Sequence, residues 1–257
     1  MKLVLIRHGD PDYVNDTLTA KGRVEASLLA ERTARMQIDD FYVSPLGRAR
    51  DTAAYTLQKT GGSAVMLPWL EEFPSQVDIN GSEELIRAFP NTEKESGRYR
   101  KRIVWDMVPA YWTEHPEYFH PTDWKMSQVA KHSDLVELYT RVTGEFDQWL
   151  ANYGYVREGD HYRVERESRR TAAFFCHFGV SCVLMAHLFG VSPFVLWHSL
   201  MMAPSSVTEL VTEEREKGCA FFRATRIGDI SHLYAGGEEP SFAGRFCEVF
   251  SDQQQRH

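Results

Sequence analysis

The sequence predicts an α/β fold, a three-layer α/β/α sandwich around a mostly parallel central sheet. Short apolar runs at 3–6, 41–44, 64–67 and 171–176 alternate with longer helical patterns. The runs at 3–6 and 171–176 are typical of strands that are buried on both faces of a parallel sheet, and the alternation is typical of α/β folds. The length of 257 residues fits a single domain of this class.

The composition is that of an ordinary soluble globular protein, with 43% hydrophobic and 25% charged residues. A formal net charge of −7 argues against a nucleic-acid partner or an anionic membrane surface. No apolar run approaches the roughly 20 residues that a membrane span requires. The four cysteines show no Cys-x-x-Cys spacing, and no signal peptide precedes the first strand. We therefore expect a cytoplasmic protein with reduced thiols; a homodimer remains open.

The elements between the strands follow from hydrophobic spacing and turn residues. Thr19 can cap a helix over 21–36 with Val24, Leu28 and Leu29 on its apolar stripe. Four further helices are predicted: one that starts at 45, one over 134–152, one that ends near 190 and one over 194–201. The β predictions are a hairpin over 153–167 and strands at 206–211 and 219–224, and the segment 228–233 closes the core.

Residues 74–133 differ in character from the rest of the single domain predicted over 1–257. They hold three of the six tryptophans, Trp105, Trp112 and Trp124, and a helix is predicted over 93–114. Linkers rarely carry so many large aromatics, so we expect a helical cap inserted in the domain, with one or more of these tryptophans lining a pocket. The basic cluster at 98–102 could attract an anion, but a solvated helix face is the favoured interpretation.

Polar residues follow four of the predicted strands, where ligands bind in open α/β sheets. Arg7-His8-Gly9 follows the first, Arg48 lies in the helix after the second, Glu71-Glu72 follows the third, and His177 follows the strand at 171–176. Each group alone could be an ordinary polar turn or helix face, and Arg50 is a weaker candidate than Arg48. Parallel strands with right-handed crossovers would bring all four groups to one edge of the sheet.

The chemistry of this set favours phosphate over a metal ion. Guanidiniums repel cations, whereas their planar forks match phosphate oxygens. A histidine beside a bound phosphate can attack phosphorus, and a carboxyl group in an apolar setting has the raised pKa that a general acid needs.

Five ordered motifs resemble those of a known family. They are Arg7-His8-Gly9, Leu18-Thr-Ala-Lys-Gly22, Ser44-Pro-Leu-Gly-Arg48-Ala49 running to Thr52-Ala53, Leu70-Glu-Glu72, and Cys176-His-Phe-Gly-Val180, with Ser231-His-Leu233 resembling its C-terminal end. The chain thus resembles the histidine phosphatase (phosphoglycerate mutase-like) superfamily, in its cofactor-dependent mutase and phosphatase branch.

The resemblance implies a phosphohistidine mechanism without metal or organic cofactor. Neutral His8 would attack the phosphoryl group, while Arg7, Arg48 and His177 bind its oxygens. Glu72, rather than Glu71, would protonate the leaving oxygen and later activate water. The partner would be a small phosphorylated metabolite.

Two departures and two alternatives accompany this prediction. Pro11 stands where the family commonly has Thr or Ser, and Phe178 replaces a glycine, where its bulk could narrow the pocket. A phosphoglycerate-type mutase is the nearest alternative, disfavoured because the aromatic insertion does not match the mutase pattern. A weakly active phospho-ligand binding protein is the other.

Overall fold

The computed structural model describes residues 1–255 and contains a central sheet with helices on both faces. The strands are β1 (Lys2–Arg7), β2 (Pro11–Asp12), β3 (Thr17–Leu18), β4 (Asp40–Val43), β5 (Ala64–Met66), β6 (Gln76–Val77), β7 (Lys94–Glu95), β8 (Arg98–Tyr99), β9 (Arg102–Ile103), β10 (Tyr155–Glu158), β11 (His161–Val164), β12 (Thr171–Cys176), β13 (Val207–Glu216) and β14 (Cys219–Asp229). The α-helices are α1 (Ala20–Thr33), α2 (Gly47–Thr60), α3 (Glu83–Ala88), α4 (Pro109–Trp112), α5 (Gln128–Lys131), α6 (Leu135–Asn152), α7 (Phe178–Phe189), α8 (Pro193–Ser199) and α9 (Ser231–Gly236). Short 3-10 helices cover Pro68–Leu70, Pro116–Tyr118 and Asp123–Met126.

The central sheet has eight strands in the order β10-β11-β14-β13-β1-β12-β4-β5. The pairs β1–β12, β12–β4 and β4–β5 are parallel, which confirms the parallel prediction for the four strands that carry the candidate residues. β13, β14, β11 and β10 extend the sheet in antiparallel fashion on the other side of β1. The sheet is therefore mixed, and the candidate site belongs to its parallel half.

Alternation along β1 separates the two hydrophobic layers. Val4 and Ile6 pack in one cluster with Leu29 of α1 and Ala53 of α2. Leu3 and Leu5 face the opposite side, in a larger cluster with residues of α6, α7 and the insertion. The predicted three-layer α/β/α arrangement is confirmed.

The apolar stripe predicted for the first helix is partly wrong. Leu29 is buried, but Val24 is 45% exposed and Leu28 only half-buried. Glu25 is fully buried in their place, because α1 presents Gly22, Glu25, Ala26 and Leu29 to the sheet and its loops.

The helix predicted over 93–114 is wrong. The chain there forms the hairpin β7–β8, the strand β9 and only the short helix α4. Ser96 and Gly97 turn the hairpin with φ values of +50° and +81°, which no α-helix accommodates. Asn80 further holds the backbone N–H of Tyr99 at 2.9 Å.

Residues 74–133, the segment expected to be an insertion, are consequently built from short helices and two-stranded ladders around a shared core rather than from long helices. Trp124 and Tyr118 are fully buried, in the same hydrophobic cluster as β1 and α7. The arginines of the basic cluster pair with acids on or next to these short elements: Arg98 with Asp78, Arg100 with Glu93 and Glu95, and Arg102 with Asp106. Across residues 1–255, none of the helices is both long enough and apolar enough to cross a bilayer.

Candidate active site

Two imidazoles and two guanidiniums meet at the carboxyl edge of the parallel strands. His8 follows β1, His177 follows β12, and Arg48 lies in the first turn of α2 after β4. The side chains are buried: Arg7 is 6%, His8 1%, Arg48 8% and His177 0% exposed. The convergence expected from strand topology is thus observed.

His8 is held as a neutral imidazole. Its Nδ1 lies 2.7 Å from the carbonyl oxygen of Gly9, and because a carbonyl only accepts, this nitrogen carries the proton. Burial, reinforced by the charges of Arg7 and Arg48, lowers the pKa of His8 to about 3. The Nε2 atom therefore keeps its lone pair at neutral pH.

His177 lies next to His8, with 5.1 Å between ring centroids. Its Nε2 is 2.8 Å from the hydroxyl oxygen of Ser44, whereas its Nδ1 is buried and has no hydrogen-bond partner among the described residues. Burial, with the nearby His8, Arg48 and Arg7, keeps the pKa of His177 far below its ordinary value. It too is neutral.

The two guanidiniums are anchored through their terminal nitrogens. Arg7 donates from Nη1 to the carbonyl of Met202 at 2.5 Å, and Arg48 donates from Nη1 to Asp16 at 2.7 Å. The Nε atom of each is buried without a partner in the described part of the chain. Both anchors leave N–H groups available to an anion.

Glu72 lies at the same edge, where its Oε1 accepts from the backbone N–H groups of Phe73 (2.9 Å) and Val180 (3.3 Å). Burial raises its pKa, against the opposing influence of these hydrogen bonds and of Arg7 and Arg48. Glu71 and Glu72 both line a cavity of about 180 Å³ that Arg141 also borders, and neither imidazole borders that cavity. Arg50 is exposed on α2.

Pro11 and Phe178, the two departures from the family pattern, lie in β2 and at the start of α7. Next to Pro11, Asp10 accepts hydrogen bonds from the hydroxyls of Thr19 and Ser241. Phe178 packs against the hydrophobic core. The close approach falls one residue later, because a Cβ at Gly179 would lie 2.7 Å from Oε1 of Glu72.

The three tryptophans of the insertion have different positions. Trp124 is buried in the core, and Trp112 stacks on His198 with 4.7 Å between centroids. Trp105 is half-buried, and its indole would lie 2.6 Å from a Cβ at Gly179. It is the one of the three that contacts the site.

Sequence reasoning missed two positioning residues. Asp16, at φ +49°, accepts from Arg48 and from the N–H of Gly47, so it caps α2 from another loop. Ser44 was part of a recognised motif, but it had no role assigned. The position of Ser44 at the end of a strand next to the strand of the second histidine could have indicated its role. Nothing in the sequence indicated Asp16, because its partners Gly47 and Arg48 lie 31 and 32 positions further along the chain.

The fold and this edge place two arginines around a pair of buried neutral imidazoles. Residues 3–102 match the model of the histidine phosphatase superfamily (branch 1).

Similar proteins include a probable phosphatase of Schizosaccharomyces pombe, 25% identical over 247 residues that cover 91% of this chain and 95% of the relative. Among solved structures, a phosphoserine phosphatase mutant from Entamoeba histolytica superposes with a TM-score of 0.57 at 15% identity, covering 90% of this chain and 98% of that one. A mycobacterial glucosyl-3-phosphoglycerate phosphatase gives 0.54 at 20% identity, covering 87% and 96%. These likenesses show the fold.

Proposed function

We propose that this protein is a phosphatase that hydrolyses a small phosphorylated metabolite through a phosphohistidine intermediate on His8. One observation carries the proposal: Nε of Arg7, Nε of Arg48 and Nδ1 of His177 are buried around neutral His8 with no partner in the described chain. A buried donor left unsatisfied costs about 1–3 kcal/mol. A phosphoryl group would accept from all three.

In the first step, Nε2 of His8 attacks phosphorus as the bond to the ester oxygen breaks. Glu72 gives its proton to the departing oxygen, a role that its raised pKa supports. The Arg7 and Arg48 guanidiniums and the His177 N–H stabilise the charge on the equatorial oxygens, so the proposal requires no metal.

In the second step, the Glu72 carboxylate takes a proton from water as the water oxygen attacks phosphorus. The phosphorus–nitrogen bond breaks, its electron pair returns to Nε2 of His8, and inorganic phosphate leaves. Glu72 is then protonated and His8 neutral, as at the start.

The assignment as a phosphatase is also supported by the comparisons with known proteins. Residues 3–102 match the model of the histidine phosphatase superfamily, and the similar proteins bear the names of phosphatases. Two of them are named for phosphoserine and glucosyl-3-phosphoglycerate, which are small phosphorylated molecules. The cysteines Cys176 and Cys182 are free and buried, which fits the cytoplasmic location expected from the sequence.

Hydrolysis of p-nitrophenyl phosphate tests the proposal. We expect turnover by the wild type, loss of turnover in His8→Ala, and a loss of about 10²–10³-fold in Arg48→Ala. Arg50→Ala, on the exposed face of the same helix, is the matched control and should behave as wild type. Equal activity of His8→Ala and wild type would overturn the assignment of the nucleophile.

Two further assays separate the alternatives. Rapid isomerisation of 3-phosphoglycerate with a bisphosphoglycerate primer, without release of phosphate, would identify a mutase. Tight binding of phosphate without turnover of any ester would identify a phospho-ligand binding protein.

A further inference from the structure

An aromatic wall stands beside the carboxyl group of Glu72. Trp105 packs on Trp197 with 5.1 Å between ring centroids, and Phe73 lies 6.2 Å from Trp105 and 5.5 Å from Trp197. Trp197 and Phe73 are buried, whereas Trp105 is half-buried. Two of the three rings are therefore packed in the core, and only the Trp105 indole is partly accessible.

Gly179 brings this wall into contact with the site. The position that a Cβ would occupy at residue 179 is 2.6 Å from the Trp105 indole and 2.7 Å from Oε1 of Glu72. The carbonyl of Gly179 also accepts the indole N–H of Trp197 at 3.1 Å. The edge of the Trp105 ring and the carboxylate are therefore neighbours across a glycine with no side chain to separate them.

The backbone of the insertion fixes Trp105 in this position. β9 ends two residues before it and pairs with β6, and the N–H of Val104 donates to the carbonyl of Ser75 at 3.2 Å. Phe73 and Ser75 lie one and three residues after Glu72 in the chain, so one short segment positions both the Trp105 indole and the Glu72 carboxyl group.

The charges around the wall differ from those around the imidazoles. The cations that lower the pKa of Glu72 are Arg7 and Arg48, and both have unpartnered N–H groups for the phosphoryl oxygens. Arg102, three residues before Trp105 in the chain, is 3.2 Å from Asp106 and lies over the ring of Phe89, so its charge is paired. Arg141 lines the cavity that Glu72 and Phe73 border, but the carboxylates of Glu71 and Glu145 line the same cavity.

We propose that Trp105 is the platform for the leaving group, and that the substrate is a monoester of a ring-bearing or apolar alcohol without a second anionic group. The inference rests on the proposed function, because the acid that protonates the leaving oxygen fixes where the leaving group lies. An indole attracts a ring by stacking and by burial of apolar surface. A second phosphate or carboxylate beside Glu72 would instead meet a carboxyl group and an indole.

The test compares esters that share the phosphoryl group and differ in the alcohol: 2-naphthyl phosphate and phenyl phosphate against phosphoserine and 3-phosphoglycerate. We expect the wild type to favour the aryl esters in kcat/KM. Trp105→Ala should reduce kcat/KM for 2-naphthyl phosphate about tenfold and leave inhibition by inorganic phosphate unchanged. Trp105→Phe, which keeps a ring, should retain most of the activity.

Trp112→Ala is the matched control, since this half-buried tryptophan of the same insertion stacks on His198 instead. It should leave the substrate preference unchanged. Melting temperatures of the three variants separate loss of folding from loss of the platform. An equal fall of kcat/KM for all four esters in Trp105→Ala, or a wild-type preference for 3-phosphoglycerate, would overturn the inference.

A binding measurement keeps this inference distinguishable from the proposed function. In the His8→Ala background, affinity for 2-naphthyl phosphate relative to inorganic phosphate should fall when Trp105 is also replaced by alanine. If the wild type hydrolyses none of the esters, the proposed function fails, and this ratio still decides the role of Trp105. An unchanged ratio would overturn it.

Discussion

The hydroxyl oxygen of Ser44 lies 2.8 Å from Nε2 of His177 and accepts the backbone N–H of Leu46 at 3.2 Å. We propose that the hydroxyl donates to Nε2, so that the proton of the neutral imidazole resides on Nδ1, which is buried without a partner in the described chain. In this arrangement Ser44 prepares His177 as an N–H donor for a phosphoryl oxygen.

Ser44→Ala should reduce kcat about tenfold and weaken inhibition by phosphate, since His177 would lose the bond that fixes its tautomer. Ser44→Thr should restore part of the loss. Nitrogen-15 spectra of the imidazoles provide the direct measurement, with the proton expected on Nδ1 in the wild type. Ser75→Ala removes another buried hydroxyl, which donates to Asp134, and is the control. A wild-type proton on Nε2 of His177 would contradict this account.

Asp16→Asn should raise KM and the inhibition constant for phosphate by about tenfold, with a smaller change in kcat. The carboxylate bonds Arg48 at 2.7 Å and the N–H of Gly47 at 2.6 Å, so its charge holds the guanidinium in place while it caps α2. Steady-state kinetics with p-nitrophenyl phosphate measure the split between KM and kcat.

Asp12→Asn is the control for this experiment, because Asp12 serves only its own turn in the same loop, accepting from the N–H groups of Val14 and Asn15. Asp12→Asn should leave KM unchanged. If both variants gave the same KM as wild type, Asp16 would have no part in positioning Arg48.

The parallel half of the sheet was predictable because each of its strands is a short apolar run followed by charged or imidazole side chains. That His177 and His8 lie at the same edge of the sheet followed from parallel strands with right-handed crossovers, and β12 does pair with β1 in parallel. The family motifs added Glu72 in preference to Glu71, which local sequence could not distinguish.

The insertion was not predictable in the same way. Its hairpin at β7–β8 depends on Ser96 and Gly97 at positive φ, and on Asn80, which contacts Tyr99 19 residues further along the chain. Helical spacing of aromatics gives no sign of such contacts. Asp16 and the burial of Glu25 depend likewise on tertiary neighbours that periodicity does not reveal.

The alkaline limb of the kcat profile should report Glu72. Its raised pKa keeps the carboxyl protonated to a higher pH than an ordinary glutamate, so leaving-group protonation is lost as pH rises through that pKa. His8, with a pKa of about 3, stays neutral throughout the range above it. In Glu72→Gln, kcat should fall at least about 10²-fold for poor leaving groups, and the alkaline limb should disappear. An unchanged alkaline limb in this variant would assign it to another group.

Stability should fall as pH rises through the titration of Glu25. Burial, with the nearby Asp10 as a further cause, raises the pKa of this carboxyl to about 7, although the N–H of Asp10 donates to it at 2.7 Å. Between its ordinary pKa and about pH 7, the unfolded chain releases a proton that the folded chain keeps. The unfolding free energy therefore decreases with pH across this window, by about 3 kcal/mol at most.

Glu25→Gln removes this titration while its amide oxygen can still accept the N–H of Asp10. Compared with wild type, the variant should become progressively more stable from about pH 5 to pH 7, with a constant difference at higher pH. Urea unfolding at a series of pH values measures the difference. Glu31→Gln, on the exposed side of the same helix, is the matched control and should show no such trend. A difference between Glu25→Gln and wild type that does not vary with pH would mean that the carboxyl of Glu25 titrates alike in the folded and unfolded chains.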